Sequence, residues 1–84
     1  MIDIKKYEEL VSKSAEKKAD SNILVTMGSF IKVNMETCRL ERNYQELDAW
    51  TRALNDVTAK LKKTNDEMEV IAEQLDRMVK KIEV

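Results

Sequence analysis

The sequence predicts a mostly α protein, an antiparallel coiled coil of a short and a long helix joined by a small β-hairpin. An apolar residue returns every seven positions from Val33 to Ile82, an amphipathic stretch occupies residues 3 to about 19, and a β-branched run surrounds the only glycine between them. The same pattern allows an alternative, an all-α chain built on one long coiled-coil helix. The 84 residues form one coiled-coil domain, with helix 1 over 3–19, the β-hairpin over 23–33 and helix 2 over 35–83.

Helix 1 places Ile4, Tyr7, Leu10, Val11 and Ala15 on one side, with Lys5, Lys6, Glu9, Lys13, Glu16 and Lys17 elsewhere. Alone in water a helix this short is marginal, so it must dock. Asp20, Ser21 and Asn22 compete with the backbone for hydrogen bonds and favour a turn. The stretch I-L-V-T-M-G-S-F-I-K-V that follows is apolar and contains no acidic residue. Two short strands, Ile23 to Met27 and Phe30 to Val33, would meet at Gly28 and Ser29, where glycine supplies the positive φ of a tight turn. A continuous helix through Gly28 is the competing reading, at about 1 kcal/mol relative to alanine.

Asn34 is the expected N-cap of helix 2, with Glu36 in its first turn. Neither proline nor glycine follows Gly28, so nothing local is expected to stop this helix before the chain ends. Its a positions are Val33, Leu40, Leu47, Leu54, Leu61, Met68, Leu75 and Ile82, and its d positions Asn43, Trp50, Val57, Thr64, Ile71 and Met78. The e positions, including Tyr44, Thr51 and Thr58, carry no charge, so the seam broadens and suits a non-identical or antiparallel partner helix. Trp50 reads as a core residue, with an interface anchor as the alternative. Polar and charged b, c and f positions form a solvated face supported by pairs such as Asp48 with Arg52 and Asp76 with Lys80.

Composition narrows the function. Fifteen basic and sixteen acidic side chains are interspersed, which argues against nucleic acid, whose recognition needs a basic stripe. Histidine is absent and Cys38 is the only cysteine, so no zinc site or histidine-based catalytic group can be built. The expected protein is not an enzyme and takes no cofactor or metal. A single cysteine fits a reducing compartment, the N-terminus lacks a signal-peptide pattern, and no apolar run is long enough to insert in a membrane. The expected location is cytoplasmic.

The run I-L-V-T-M-G-S-F-I-K-V followed by N-M-E-T-C-R-L-E-R-N-Y-Q-E-L resembles β-type subunits of the prefoldin family, in which two apolar strands precede a polar cap and a heptad helix. The resemblance covers Ile23 to about Lys63. It implies a non-catalytic subunit of a hetero-oligomeric co-chaperone that holds non-native proteins for transfer to a chaperonin. By that resemblance Ile23, Val25, Met27, Gly28, Phe30, Ile31 and Val33 form the oligomerisation hairpin. Leu40, Tyr44, Leu47, Trp50, Leu54, Val57, Leu61, Met68, Ile71 and Leu75 form the coiled-coil interface. Client contacts would fall at Ile2, Ile4, Tyr7, Met78, Val79 and Ile82. The implied partners are other prefoldin-like or coiled-coil chains, non-native clients and a chaperonin.

If helix 1 ends near residue 19, Ile4 reaches only about as far as Trp50 or Leu54, and Val57 to Ile82 must be covered by another chain or by a preceding segment. The alternative function is a small structural or adaptor subunit of an elongated helical complex, of the vesicle-tethering, lysosome-positioning or kinetochore type. That alternative expects continuous helix through Gly28.

Overall fold

The computed structural model describes residues 3–83, and side chains as far as Lys81. It is a helical hairpin of two nearly equal arms, α1 (Ile4–Glu41) and α2 (Tyr44–Glu83), packed along each other as a rod of 63 × 15 × 14 Å. No strand occurs among the described residues. Neither helix is long and apolar enough to cross a membrane.

Capping explains where each helix begins and ends. The Asp3 carboxylate accepts the Lys6 amide at 3.1 Å, which satisfies one of the open donors at the start of α1. At the other end Arg42 adopts the left-handed conformation, with φ of 58°. The Arg42 amide donates to the Arg39 carbonyl and the Asn43 amide to the Cys38 carbonyl at 2.9 Å, a Schellman closure. Asn43 then starts α2. Its side-chain oxygen accepts the Glu46 amide at 3.2 Å, its side-chain amide donates to the Glu46 carboxylate at 2.8 Å, and its carbonyl accepts the first helical bond from Leu47.

Three expectations are corrected here. Residues 23–33 are helical and not a β-hairpin, helix 1 runs to Glu41 and not to 19, and the long helix expected over 35–83 is broken at Arg42 and Asn43. Of the all-α alternative, the helical character and the continuous helix through Gly28 hold, while the one long helix is divided in two at the same break. Gly28 has no positive φ and so marks no turn. The β-branched residues follow their packing context, because β propensity reflects the surface on which a side chain sits. Residues that favour turns are absorbed by bonds to the preceding turn: Thr26 donates to the Asn22 carbonyl at 3.0 Å, Asn34 to Phe30 at 2.8 Å and Thr37 to Val33 at 3.2 Å. Asn34 is therefore a residue of the helix interior and not a cap.

The seam between the arms uses one stripe from each. On α1 it runs Leu10, Ser14, Lys17, Ser21, Leu24, Gly28, Ile31, Met35 and Cys38, in alternating steps of four and three. On α2 it runs Leu47, Trp50, Leu54, Val57, Leu61, Thr64, Met68, Ile71, Leu75 and Met78. Ile31, Met35 and Val57 form the best-buried cluster, with Leu24, Leu47, Trp50, Ala53 and Leu54 packed around them. Gly28 faces Val57 in this stripe. The distal half of α2 is covered by the chain's own α1, since Val57 is only 6% exposed and Ile71 8%. The cover missing beyond Val57 in the expected fold is supplied by α1 itself, including the residues expected to form a turn and a hairpin.

Two substitutions check this arrangement. An alanine Cβ at position 28 would lie 3.9 Å from Val57 Cγ1, an ordinary contact, so Gly28→Ala should raise unfolding stability by about 1 kcal/mol in urea titration. A glycine holding a positive-φ turn would give the opposite sign. Arg42→Gly should raise stability by about 1 kcal/mol, read as an increase in Tm, because it removes the left-handed penalty of a side chain at the reversal.

Candidate interaction surface

α1 carries apolar side chains that α2 does not cover. Ile23 is 58% exposed, Phe30 62%, Val33 66% and Leu40 79%, with Val25 and Met27 about half exposed. At 100° per residue, Val33 lies about 200° from Ile31 and Leu40 about 200° from Cys38, so both point away from the intrachain seam. Phe30 is braced at its edge by Trp50, with ring centroids 5.9 Å apart and planes at 78°. The Trp50 indole N–H donates to Glu46 at 3.3 Å, tying that aromatic pair to the capping residues of α2.

The expected site residues are thus divided by the fold. Of the expected hairpin set, Ile31 is buried in the seam and Gly28 is half-buried there, while Ile23, Val25, Met27, Phe30 and Val33 face outward. Of the expected coiled-coil set, Val57 and Ile71 are buried and Leu47, Trp50, Leu54, Leu61, Met68 and Leu75 are half-buried on the seam. Leu40 and Tyr44 are exposed beside the reversal. Among the expected client contacts, Ile4, Tyr7 and Val79 are exposed and Met78 is half-buried. Ile2 and the side chain of Ile82 lie outside the described residues.

Sequence reasoning missed the α1 stripe itself. Its heptad spacing is regular, but Ser14, Lys17, Ser21 and Gly28 occupy core-facing positions, so the apolar signal is broken while the spacing persists. Two polar members of the stripe are paired across it. Lys17 forms an ion pair with Glu67, and the Ser21 hydroxyl donates to Asn65 at 3.3 Å. Hydrogen bonding to Glu67, with the attraction of its charge, raises the Lys17 pKa above its ordinary value. Hydrogen bonding from Lys17 lowers that of Glu67, against a smaller opposing effect of desolvation. Cys38 is buried beneath the reversal, and desolvation pushes its thiol pKa up, with Glu46 and Glu41 adding to the effect. That environment disfavours the reactive thiolate.

Several charges along the remaining surface pair with one another. Asp48 with Arg52, Asp56 with Lys60 and Asp76 with Lys80 pair one turn apart on the outer side of α2. On α1, Glu36 pairs with Arg39 at 3.3 Å, on the flank away from Ile23 and Phe30. The apolar face is therefore bordered by charge without containing any. Compared with known protein families, curated proteins and solved structures, the chain matches none.

The Lys17–Glu67 pair gives a pH prediction with a definite sign. Because the folded state lowers the Glu67 pKa, the pair's contribution is present above the usual carboxylate pKa and is lost as pH falls through the lowered value. The raised Lys17 pKa keeps that contribution through neutral pH, and it is lost at alkaline pH as Lys17 deprotonates. Urea titrations of wild type and Glu67→Gln should differ at neutral pH and converge in acid. A difference that stays constant into acid would show that the pair is not the source.

Proposed function

We propose that the protein is a non-catalytic structural or adaptor subunit, a helical hairpin that seats helices of other protein chains in an elongated assembly. The supporting observation is the run of exposed apolar side chains on α1, Ile23, Phe30, Val33 and Leu40, displayed along a rod whose own seam is already closed. Contiguous apolar surface of this kind is a signature of protein contact, and exposed large side chains such as Phe30 suit an anchor role once desolvated. The α2 outer face, with its paired charges, suits solvent.

The prefoldin-like co-chaperone reading draws its subunit platform from strands at 23–33. Those residues are helical, and the continuous helix through Gly28 is what the adaptor reading expects. The adaptor reading therefore has the better physical support.

Sedimentation in extracts of the source cells tests it. The tagged full chain should migrate in a complex much larger than a 9.8 kDa hairpin, and Phe30→Glu combined with Val33→Glu should shift it to smaller species without loss of helicity. Migration of the wild type as a single small species would overturn the adaptor role.

A further inference from the structure

The exposed face of α1 has an internal symmetry that selects its occupant. Ile23, Thr26, Phe30, Val33, Thr37 and Leu40 follow one another at steps of three, four, three, four and three. That is an a/d heptad stripe, and its spacing is the same in either chain direction. All six residues are exposed and none is charged. In an antiparallel coiled coil each a layer meets a d layer of the partner. Two copies of this stripe, related by a two-fold axis passing between Ile31 and Lys32, would set Ile23 against Leu40, Thr26 against Thr37 and Phe30 against Val33. Each layer then matches size and polarity: aliphatic on aliphatic, hydroxyl on hydroxyl, aromatic on β-branched.

We infer that this second stripe of α1 pairs antiparallel with the same stripe of a second copy, giving a two-fold dimer with α1 helices at the centre and α2 helices outside. Val33 and Leu40 lie roughly opposite the intrachain seam, whereas Phe30 flanks it, touching Trp50 at one edge and remaining 62% exposed. As an elongated rod the chain exposes 6763 Å², more than the roughly 5,200 Å² of a compact protein of 9.8 kDa, so it has surface left for a second copy to cover. Isologous contact of one patch with itself is also the commonest way in which identical chains associate.

The inference rests on the adaptor reading of this face and names its occupant as a helix of a second copy, in place of a helix from a different protein. Sedimentation equilibrium and light scattering on the purified full chain test it directly. The expected species has twice the 9.8 kDa chain mass. Phe30→Glu alone and Val33→Lys alone should each weaken dimerisation at least about tenfold with helicity retained by circular dichroism. The double variant Phe30→Glu with Val33→Lys should recover much of the loss, because the antiparallel register sets Glu against Lys in both symmetry-related layers. A parallel dimer would place like charges together and show no recovery, which would overturn the proposed register. A wild-type chain that stays monomeric at about 100 µM while fully helical would overturn the dimer itself. The two readings fail separately: a purified monomer that still enters a large complex in cell extracts ends the dimer inference alone. A purified dimer that enters no larger complex ends the adaptor reading alone.

Discussion

The rest of the fold depends on the reversal at Arg42 and Asn43. Two residues turn the chain through the antiparallel angle, and because they sit almost midway along it, the arms come out nearly equal in length. That equality closes the seam. With the reversal in this place Gly28 faces Val57, Ser21 meets Asn65 and Lys17 meets Glu67, so register is carried outward from the loop to the distal layers. The Schellman bonds to Cys38 and Arg39 close one helix while the Asn43–Glu46 pair opens the next.

The two arms serve this seam unequally. α2 is strongly sided, with apolar a and d positions and paired charges outside. α1 is not, because it presents polar and small groups at several seam positions and large apolar groups away from it. Lys17 and Ser21 keep part of their surface in solvent and meet Glu67 and Asn65 across the seam. The pairs are solvent-accessible, so they contribute more to register than to stability.

This asymmetry explains how much was legible in the sequence. The α2 stripe from Leu47 to Met78 could be read directly, because its apolar repeat is unbroken except at Thr64 and that repeat coincides with the buried side. The α1 stripe could not, because Ser14, Lys17, Ser21 and Gly28 interrupt hydrophobicity but leave the spacing intact. Val33 and Leu40 look like the first two a positions of α2's repeat, yet they lie before the reversal and point away from the seam. Extending the repeat across Arg42 merged two unrelated stripes and hid the bend. One signal for that bend was present: Asn43 followed three residues later by Glu46 is a helix-start pattern, and Arg42 carried the left-handed conformation without the glycine that usually advertises it. The β-branched run at 23–33 looked like strands for a related reason, since residues that are apolar on every side lose helical periodicity.

That last property bears on where α1 belongs. From Ser21 to Ile31 the chain has no charged residue on any side of the helix, and a helix apolar or neutral all round is ordinarily an internal one. In an isolated two-helix rod no helix is internal, because each has a single neighbour. A chain of this size buries too little surface to enclose a helix by itself. Between Ser21 and Ile31, neutral surface on both sides of α1, together with charged surface on the outside of α2, is the distribution that the proposed dimer, with α1 helices in the middle and α2 helices outside, requires.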